Sequence, residues 1–317
     1  MTERSPKISI IVPVFNCERT IHDCLESLLN LDYPDYEIII VDDGSTDNTT
    51  KICQSHKRVK VIQIPNGGPS RARNIGVKKA KGEIVAFTDG DCIVHRQWLK
   101  ELQKGFSGDK IAGVGGNQIS PPNETAFGKS VQETFAILGF ATSYMKPYTS
   151  LTETQHNPSC NSAYQKHIFE SIGGFNESLW PGEDVDLDYR LIQNGYTLIR
   201  NPEAIVRHYR PQSLSGLCSM MQRYGGATYL LLRKYGFFRP LHYIPCLLPF
   251  VLCSIIIASI YKPSLLFFSP LVLLALLLFF LGRKGFSKKS VTILFLSLVI
   301  LVNWHLGFYK QPFKTDL

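Results

Sequence analysis

The chain has 317 residues, room for one large core or two structural units, and carries a formal net charge of +8. Its mean hydropathy is close to zero although 19% of its residues are charged, which excludes an evenly mixed chain: the apolar residues crowd together after about residue 242. Basic residues gather before and between those apolar segments rather than in a stripe, which favours an anionic membrane surface and phosphates as partners and argues against nucleic acid.

In chain order, the first apolar run, Ile8 to Val14, is too short to cross a bilayer and is bounded by Pro13 and Asn16. It reads as a buried strand and not as part of a signal peptide, so the first domain is expected to stay on the side where it is made. Up to about residue 110, β-branched runs alternate with amphipathic stretches, the pattern of βαβ units. Strands are expected at Ile8 to Val14, Glu37 to Asp42, Lys60 to Ile64 and Ile84 to Thr88. Ile21, Cys24, Leu25, Leu28 and Leu29 share one helical face, ended by Asp32 and Pro34. A second helix follows the N-cap-rich Ser45-Thr46-Asp47, and a third runs from about Pro69 to Ala80. Residues 111 to about 205 have no single period, and Gly113 to Pro122 is rich in Gly, Asn and Pro; this region reads as an acceptor-side elaboration of the same domain. The eight cysteines form no CxxC pair and no metal-type spacing, which suits free thiols in a reducing compartment.

The expected division is a domain over 1–210, an amphipathic linker over 211–241 and about three membrane helices over 242–310. From Ser213 to Tyr235, leucines alternate with Arg223, Arg233 and Lys234, a composition that suits either an interfacial helix or a core-facing one. Apolar segments follow at about 243–261, 264–281 and 290–308, each near the ~20 residues that span hydrocarbon. Basic flanks around Arg233, Arg239, Arg283 and Lys288 place the amino-terminal domain in the cytoplasm, on a multi-pass plasma-membrane protein.

In an open parallel sheet, ligands bind beyond the carboxyl ends of the strands. Asp89-Gly90-Asp91 stands there, directly after Ile84 to Thr88, and two carboxylates at that spacing can hold one hard cation against a diphosphate. Such strings are also common in solvated turns. Asp42 and Asp43 end a neighbouring strand, where a carboxylate can accept a pyrimidine N–H, bond a ribose or cap the next helix.

The blocks SIIVPVFNCERTIHDCLESLL, EIIIVDDGSTDNT and GGPSRARNIGVKKAKGEIVAFTDGD, in this order and spacing, resemble the donor-binding half of the family 2 glycosyltransferases. The likeness resumes at Asn157 to Tyr164, Gly173-Gly174-Phe175, Gly182 to Leu187 and Arg190-Leu191. It implies a GT-A fold, α/β and Rossmann-like with a mostly parallel sheet, followed here by carboxyl-terminal transmembrane helices. It implies that Pro13, Phe15, Glu18 and Asp43, with Asp42 beside them, hold the nucleoside of a UDP- or GDP-sugar. Asp89 and Asp91 match the metal-binding DxD motif, for Mg²⁺ or Mn²⁺. Glu183-Asp184 matches the ED motif, whose Asp is the inverting general base; the bland alternative is that both acids only favour a helix N-terminus. His208 stands where related enzymes often place a third metal ligand. Arg71, Arg73 and Asn74 either touch donor phosphate or only pack and pair.

Met220-Met221-Gln222-Arg223-Tyr224 departs at both ends from the Q/R-x-x-R-W element of processive members, which favours one sugar per event. The expected acceptor is a glycan or lipid-linked saccharide hydroxyl. A polyprenyl-phosphate sugar synthase, a sugar-nucleotidyltransferase and a non-catalytic scaffold are the competing readings.

Overall fold

The computed structural model describes residues 6–138, 150–262 and 288–313. It falls into two compact units: Met1–Glu124 with Phe135–Arg210, and Thr125–Thr134 with Pro211–Leu317.

The first unit is a sheet with helices on both faces. Its strands are β1 (Ile8–Val14), β2 (Tyr36–Asp42), β3 (Val59–Gln63), β4 (Ile84–Phe87), β5 (Cys92–Val94), β6 (Ile111–Ile119), β7 (Thr152–Thr154), β8 (Ser162–Gln165) and β9 (Thr197–His208). The strand order is β3-β2-β1-β4-β8-β6-β9-β5, with β7 beside β9. β1 is buried on both faces: Ile8, Ile10, Val12 and Val14 enter one core and Ile11 the other. The helices α1 (Ile21–Leu29), α2 (Thr49–Gln54) and α4 (Trp98–Lys104) supply the first of these cores through Ile21, Leu25, Leu28, Cys53, Trp98 and Leu102. The helices α3 (Pro69–Lys79), α6 (Lys166–Ser171) and α7 (Glu183–Gln193) supply the second through Ala72, Val77, Phe169, Leu187 and Leu191.

The four expected strands and three expected helices of the first 110 residues are all present, and β1, β2, β3 and β4 pair in parallel. The sheet as a whole is mixed rather than mostly parallel. β8 runs antiparallel to both β4 and β6, and β5 and β7 run antiparallel to β9. Parallel neighbours need crossover connections of a dozen residues or more, whereas β5 follows β4 after only the Thr88–Asp91 link and so starts a strand elsewhere in the sheet. The Gly-rich stretch at 113–116, loop-like in composition, lies inside β6. A Cβ on Gly113 would come within 2.6 Å of the Tyr164 ring and one on Gly116 within 1.8 Å of Ala204 O, so these positions exclude side chains because their neighbours fill the space.

In the second unit, α8 (Leu214–Tyr235) starts at Ser213, whose Oγ accepts the Gly216 N–H at 3.1 Å, and stops at Gly236 with φ +72°. It is followed by α9 (Tyr243–Tyr261) and α10 (Lys288–Lys310), while α5 (Ala126–Leu138) runs across the boundary between the units. α8 buries Leu217, Met221, Ala227 and Leu231 and leaves Arg223, Arg233 and Lys234 exposed. It meets α10 backbone to backbone: a Cβ on Gly225 would lie 1.9 Å from Trp304 O, and one on Gly307 2.0 Å from Gln222 O. Gln222 Nε2 donates to Asn303 Oδ1 at 2.8 Å across this contact, and Tyr229 meets Phe308 edge-on at 5.5 Å. Among the described residues one helix, over Lys289–Lys310, is long and apolar enough to cross a membrane. The expected first span is also helical, as α9, and exposes Phe250, Ile256, Ile257 and Ile260; the expected middle span at 264–281 lies outside the described residues.

Candidate active site

The carboxyl ends of β1, β2 and β4 carry the first polar residues. Asp42 ends β2, is 1% exposed, and accepts the Ser45 N–H at 2.9 Å and the Thr50 hydroxyl. Asp43, also buried, takes the N–H groups of Gly67 and Gly68 on its two oxygens at 2.8 Å each. These two amides lead into α3, and Gly68 sits at φ +90°, a conformation that disfavours any residue with a Cβ. Asp43 therefore fixes the entry to α3. Pro13 is buried within β1 opposite Val41, and Phe15, just beyond the strand, is 48% exposed. Glu18 is exposed, and its Oε2 accepts the N–H and the side-chain amide of Asn48 at 2.9 and 3.1 Å; Asp47 Oδ1 accepts the Thr49 N–H at 2.9 Å just before α2. The two loops are thereby tied side chain to backbone, with the Phe15 ring left at the rim.

α3 reaches the next group of acids. Arg73, 3% exposed, places Nη2 on Asp89 Oδ1 at 2.7 Å and Nη1 on Glu183 Oε1 at 2.8 Å. A guanidinium is suited to this because its fork stays charged and offers several fixed donors. Burial works against the Arg73 charge, but the two carboxylates outweigh it and hold the group still more firmly protonated. Glu183 is lifted to about 7 by its burial and by the adjacent Asp184 charge, in spite of Arg73. Asn74 packs into the 173–177 turn, donating to Phe175 O at 2.9 Å and accepting from Phe175 N at 3.0 Å. Of the open alternatives for Arg73 and Asn74, both side chains pair within the protein.

Asp184 follows Glu183 in the first turn of α7, after Gly182 at φ +103°. Its Oδ2 accepts the Ser159 N–H at 3.2 Å and lies 3.8 Å from His156 Nε2. The other face of that imidazole, Nδ1, is 2.9 Å from Asp188, which also accepts Asn157 N–H at 2.7 Å and the Tyr164 hydroxyl at 2.8 Å. Burial raises the Asp188 carboxyl above the usual range. Asp186, the third acid of the turn, is fully buried on Arg190 and has a structural task. Sequence reading missed the His156–Asp188–Tyr164 network. The only signal for it was the spacing of Asp184 and Asp188, one helical turn apart.

Asp89 and Asp91 do not belong to neighbouring strands. The link that holds them leaves β4 in the middle of the sheet and enters β5 at its edge, so Asp89 turns to Arg73 while Asp91 turns to β9. Asp91 Oδ1 lies 3.4 Å from His208 Nε2, and His208 Nδ1 lies 3.3 Å from Gln118 Oε1 and 3.8 Å from Cys160 Sγ. Burial would raise Asp91, but the charges of His208 and Arg210 hold it below the usual carboxylate range. Burial would lower His208, yet Asp91 and Cys160 lift it to about 10. Two carboxylates and an imidazole nitrogen are a donor set that fits Mg²⁺ or Mn²⁺. A separate open depression of about 670 Å³, lined in part by Gly82, Glu83, Gln165 and Lys166, lies at the amino end of β4, away from all these acids.

Residues 9–173 match the model of glycosyl transferase family 2. The chain is 32% identical over 206 residues to the glycosyltransferase AglE of Haloferax volcanii, covering 62% of this chain and 65% of that one. It is 30% identical over 270 residues to the dolichyl N-acetyl-alpha-D-glucosaminyl phosphate 3-beta-D-2,3-diacetamido-2,3-dideoxy-beta-D-glucuronosyltransferase of Methanococcus voltae, covering 80% of this chain and 82% of that one. Among solved structures, the mannosyltransferase PcManGT from Pyrobaculum calidifontis, in complex with GDP-Man and Mn²⁺, superposes with a TM-score of 0.67 at 18% identity, over 99% of this chain and 89% of that one. At that identity the likeness is one of fold.

Proposed function

The chain belongs to glycosyl transferase family 2, and we propose that it transfers one sugar from a UDP- or GDP-sugar to a hydroxyl of a lipid-linked or cell-surface glycan precursor, with inversion. The observation that carries this reading is the buried Arg73, which ties Asp89 at the end of β4 to Glu183 at the start of α7 and so brings the DxD and ED motifs to one rim of the sheet. The names of two similar proteins point the same way, one structure holding GDP-Man and Mn²⁺ and one relative acting on a dolichyl phosphate sugar.

In this reading Phe15 offers an exposed ring face to the base, beside a loop shaped by Glu18, Asp42 and Asp43. Asp89, Asp91 and His208 hold Mg²⁺ or Mn²⁺, and the ion supplies positive charge for the departing diphosphate. Asp184 takes the acceptor hydroxyl proton on a carboxylate oriented by the Ser159 amide. A single displacement needs no covalent enzyme intermediate and inverts the anomeric centre. Glu183, engaged by Arg73, is a positioning residue for Asp184. α10, and α9 with it, anchors the protein in the plasma membrane with the catalytic unit in the cytoplasm, near a polyprenyl-linked acceptor.

A screen of UDP- and GDP-sugars with Mn²⁺ or Mg²⁺ against a polyprenyl-linked acceptor extract tests the assignment, and product analysis separates transfer to a saccharide hydroxyl from transfer to the carrier phosphate. Asp184→Asn is expected to keep donor binding and lose about 10²–10⁴-fold in transfer. Normal turnover by that variant would remove the base assignment.

A further inference from the structure

Two cysteines stand behind the Asp91–His208 pair, in a region where the proposed chemistry makes no use of sulfur. Cys92 begins β5 and Cys160 precedes β8; their exposures are 0% and 5%. Their sulfurs and a ring nitrogen of His208 all lie within 4.8 Å of one another. Cys160 Sγ is 3.8 Å from His208 Nδ1, and Cys92 Sγ is 3.7 Å from Asp91 Oδ1. A tetrahedral zinc ion with Zn–S near 2.3 Å and Zn–N near 2.0 Å sets its ligand atoms roughly 3.5–3.8 Å apart. Gln118 Nε2 donates to Cys160 Sγ at 3.0 Å and supports an electron-rich sulfur there. Asp91, with its side chain 43% exposed, and His208 at 19% lead from solvent to the sulfurs.

We propose that Cys92, Cys160 and His208 Nδ1 form a site for a thiophilic divalent cation of the zinc type, and that its occupation excludes His208 from the cation at Asp91. The exclusion follows from the imidazole itself. A neutral ring has one lone pair, so a metal on Nδ1 requires the proton on Nε2, and that N–H then points at Asp91 instead of ligating beside it. Binding displaces the protons of the two thiols and the proton on His208 Nδ1, all of which pass to solvent, and no redox change is involved. The soft site selects by its sulfurs and the hard site by its carboxylates, so the two ions compete through one ring rather than for one position. The binding stands on geometry alone, whereas the competition rests on the proposed function.

Co²⁺ added to the reduced full-length protein tests the binding without any substrate. A thiolate-to-cobalt charge-transfer band is expected, and Cys160→Ser and Cys92→Ala should each weaken Co²⁺ affinity at that band by at least about tenfold. Folded wild-type protein that binds Co²⁺ with no such band, or a band unchanged in both variants, overturns the site. In a transfer assay, Zn²⁺ should inhibit, added Mn²⁺ should relieve the inhibition, and Cys160→Ser should need at least about tenfold more Zn²⁺ for the same fractional loss of its own rate. Equal sensitivity of the variant overturns the competition. If no nucleotide-sugar supports transfer, the catalytic reading fails while the cobalt spectrum still decides the site.

Discussion

Two polar groups sit beyond the carboxyl ends of the strands, and they are built on opposite principles. Around Arg73 one cation meets two carboxylates through short contacts at 2.7 and 2.8 Å, in near-complete burial. Around His208 the contacts are longer and a second cation takes part: Asp91, Gln118 and Cys160 face one ring at 3.3 to 3.8 Å, and Arg210 Nη2 donates to Gln118 Oε1 at 3.1 Å. The first arrangement pairs one oxygen each of Asp89 and Glu183 with Arg73 and fixes geometry. The second is held by longer contacts and is partly open to solvent. Contact length and burial thus separate the two groups, although each contains an Asp of the same motif.

The contrast is broken most directly at Arg73. Arg73→Ala leaves Glu183 and Asp89 without their buried partner, and a loss of about 3–5 kcal/mol is expected in denaturant unfolding. A change below about 1 kcal/mol would show that the brace holds nothing. Arg73→Lys keeps the charge but has no fork to span both acids, so it should recover only part of that loss. His208→Gln should do the reverse: little change in melting temperature, but at least about a tenfold rise in the Mn²⁺ needed for half-maximal transfer. A melting loss comparable to that of Arg73→Ala would make His208 a structural residue as well.

A finer test uses pH. Glu183 has its carboxyl raised from 4.5 to about 7 by burial and by Asp184. Between those values the folded state holds a proton that the unfolded state has released, so this group's contribution to stability falls as pH rises through the window. Glu183→Gln should flatten the slope of melting temperature against pH between about 4.5 and 7, relative to the wild-type protein. An unchanged slope would assign the titration to another group.

The first 110 residues were legible because their information is local. Period-2 and period-3.6 patterns, Pro69 at the start of α3 and acids placed after strands each depend on neighbours in the chain. β1 accordingly has the expected limits, Ile8 and Val14. After residue 110 the decisive contacts are distant. Asn161 accepts from Trp98 Nε1 and donates to Asn117 O and Ala204 O, and β6 uses glycine where Tyr164 and Ala204 already occupy the space. Such a strand has the composition of a loop. The same reason hid the sulfur cluster: Cys92, Cys160 and His208 meet only because β5 and β8 are brought near the end of β9, and no ligand spacing along the chain records it. The ED and DxD motifs could be recognised from sequence, but their connection through Arg73 could not, since the helix start gave equal reason to expect a phosphate contact.

The passage of Asp89-Gly90-Asp91 from β4 to an edge strand has a mechanical side. Its two carboxylates stand two residues apart on the link between β4 and β5, strands that β8, β6 and β9 separate in the sheet order, so their spacing is set by that link. A Cβ on Gly90 would approach Val14 Cγ1 at 3.0 Å and Cys17 Sγ at 3.1 Å, which leaves the link little slack on the side of β1. A cation held by both carboxylates would then act as a buckle on a short strap, resisting shear between the two strands that the link joins.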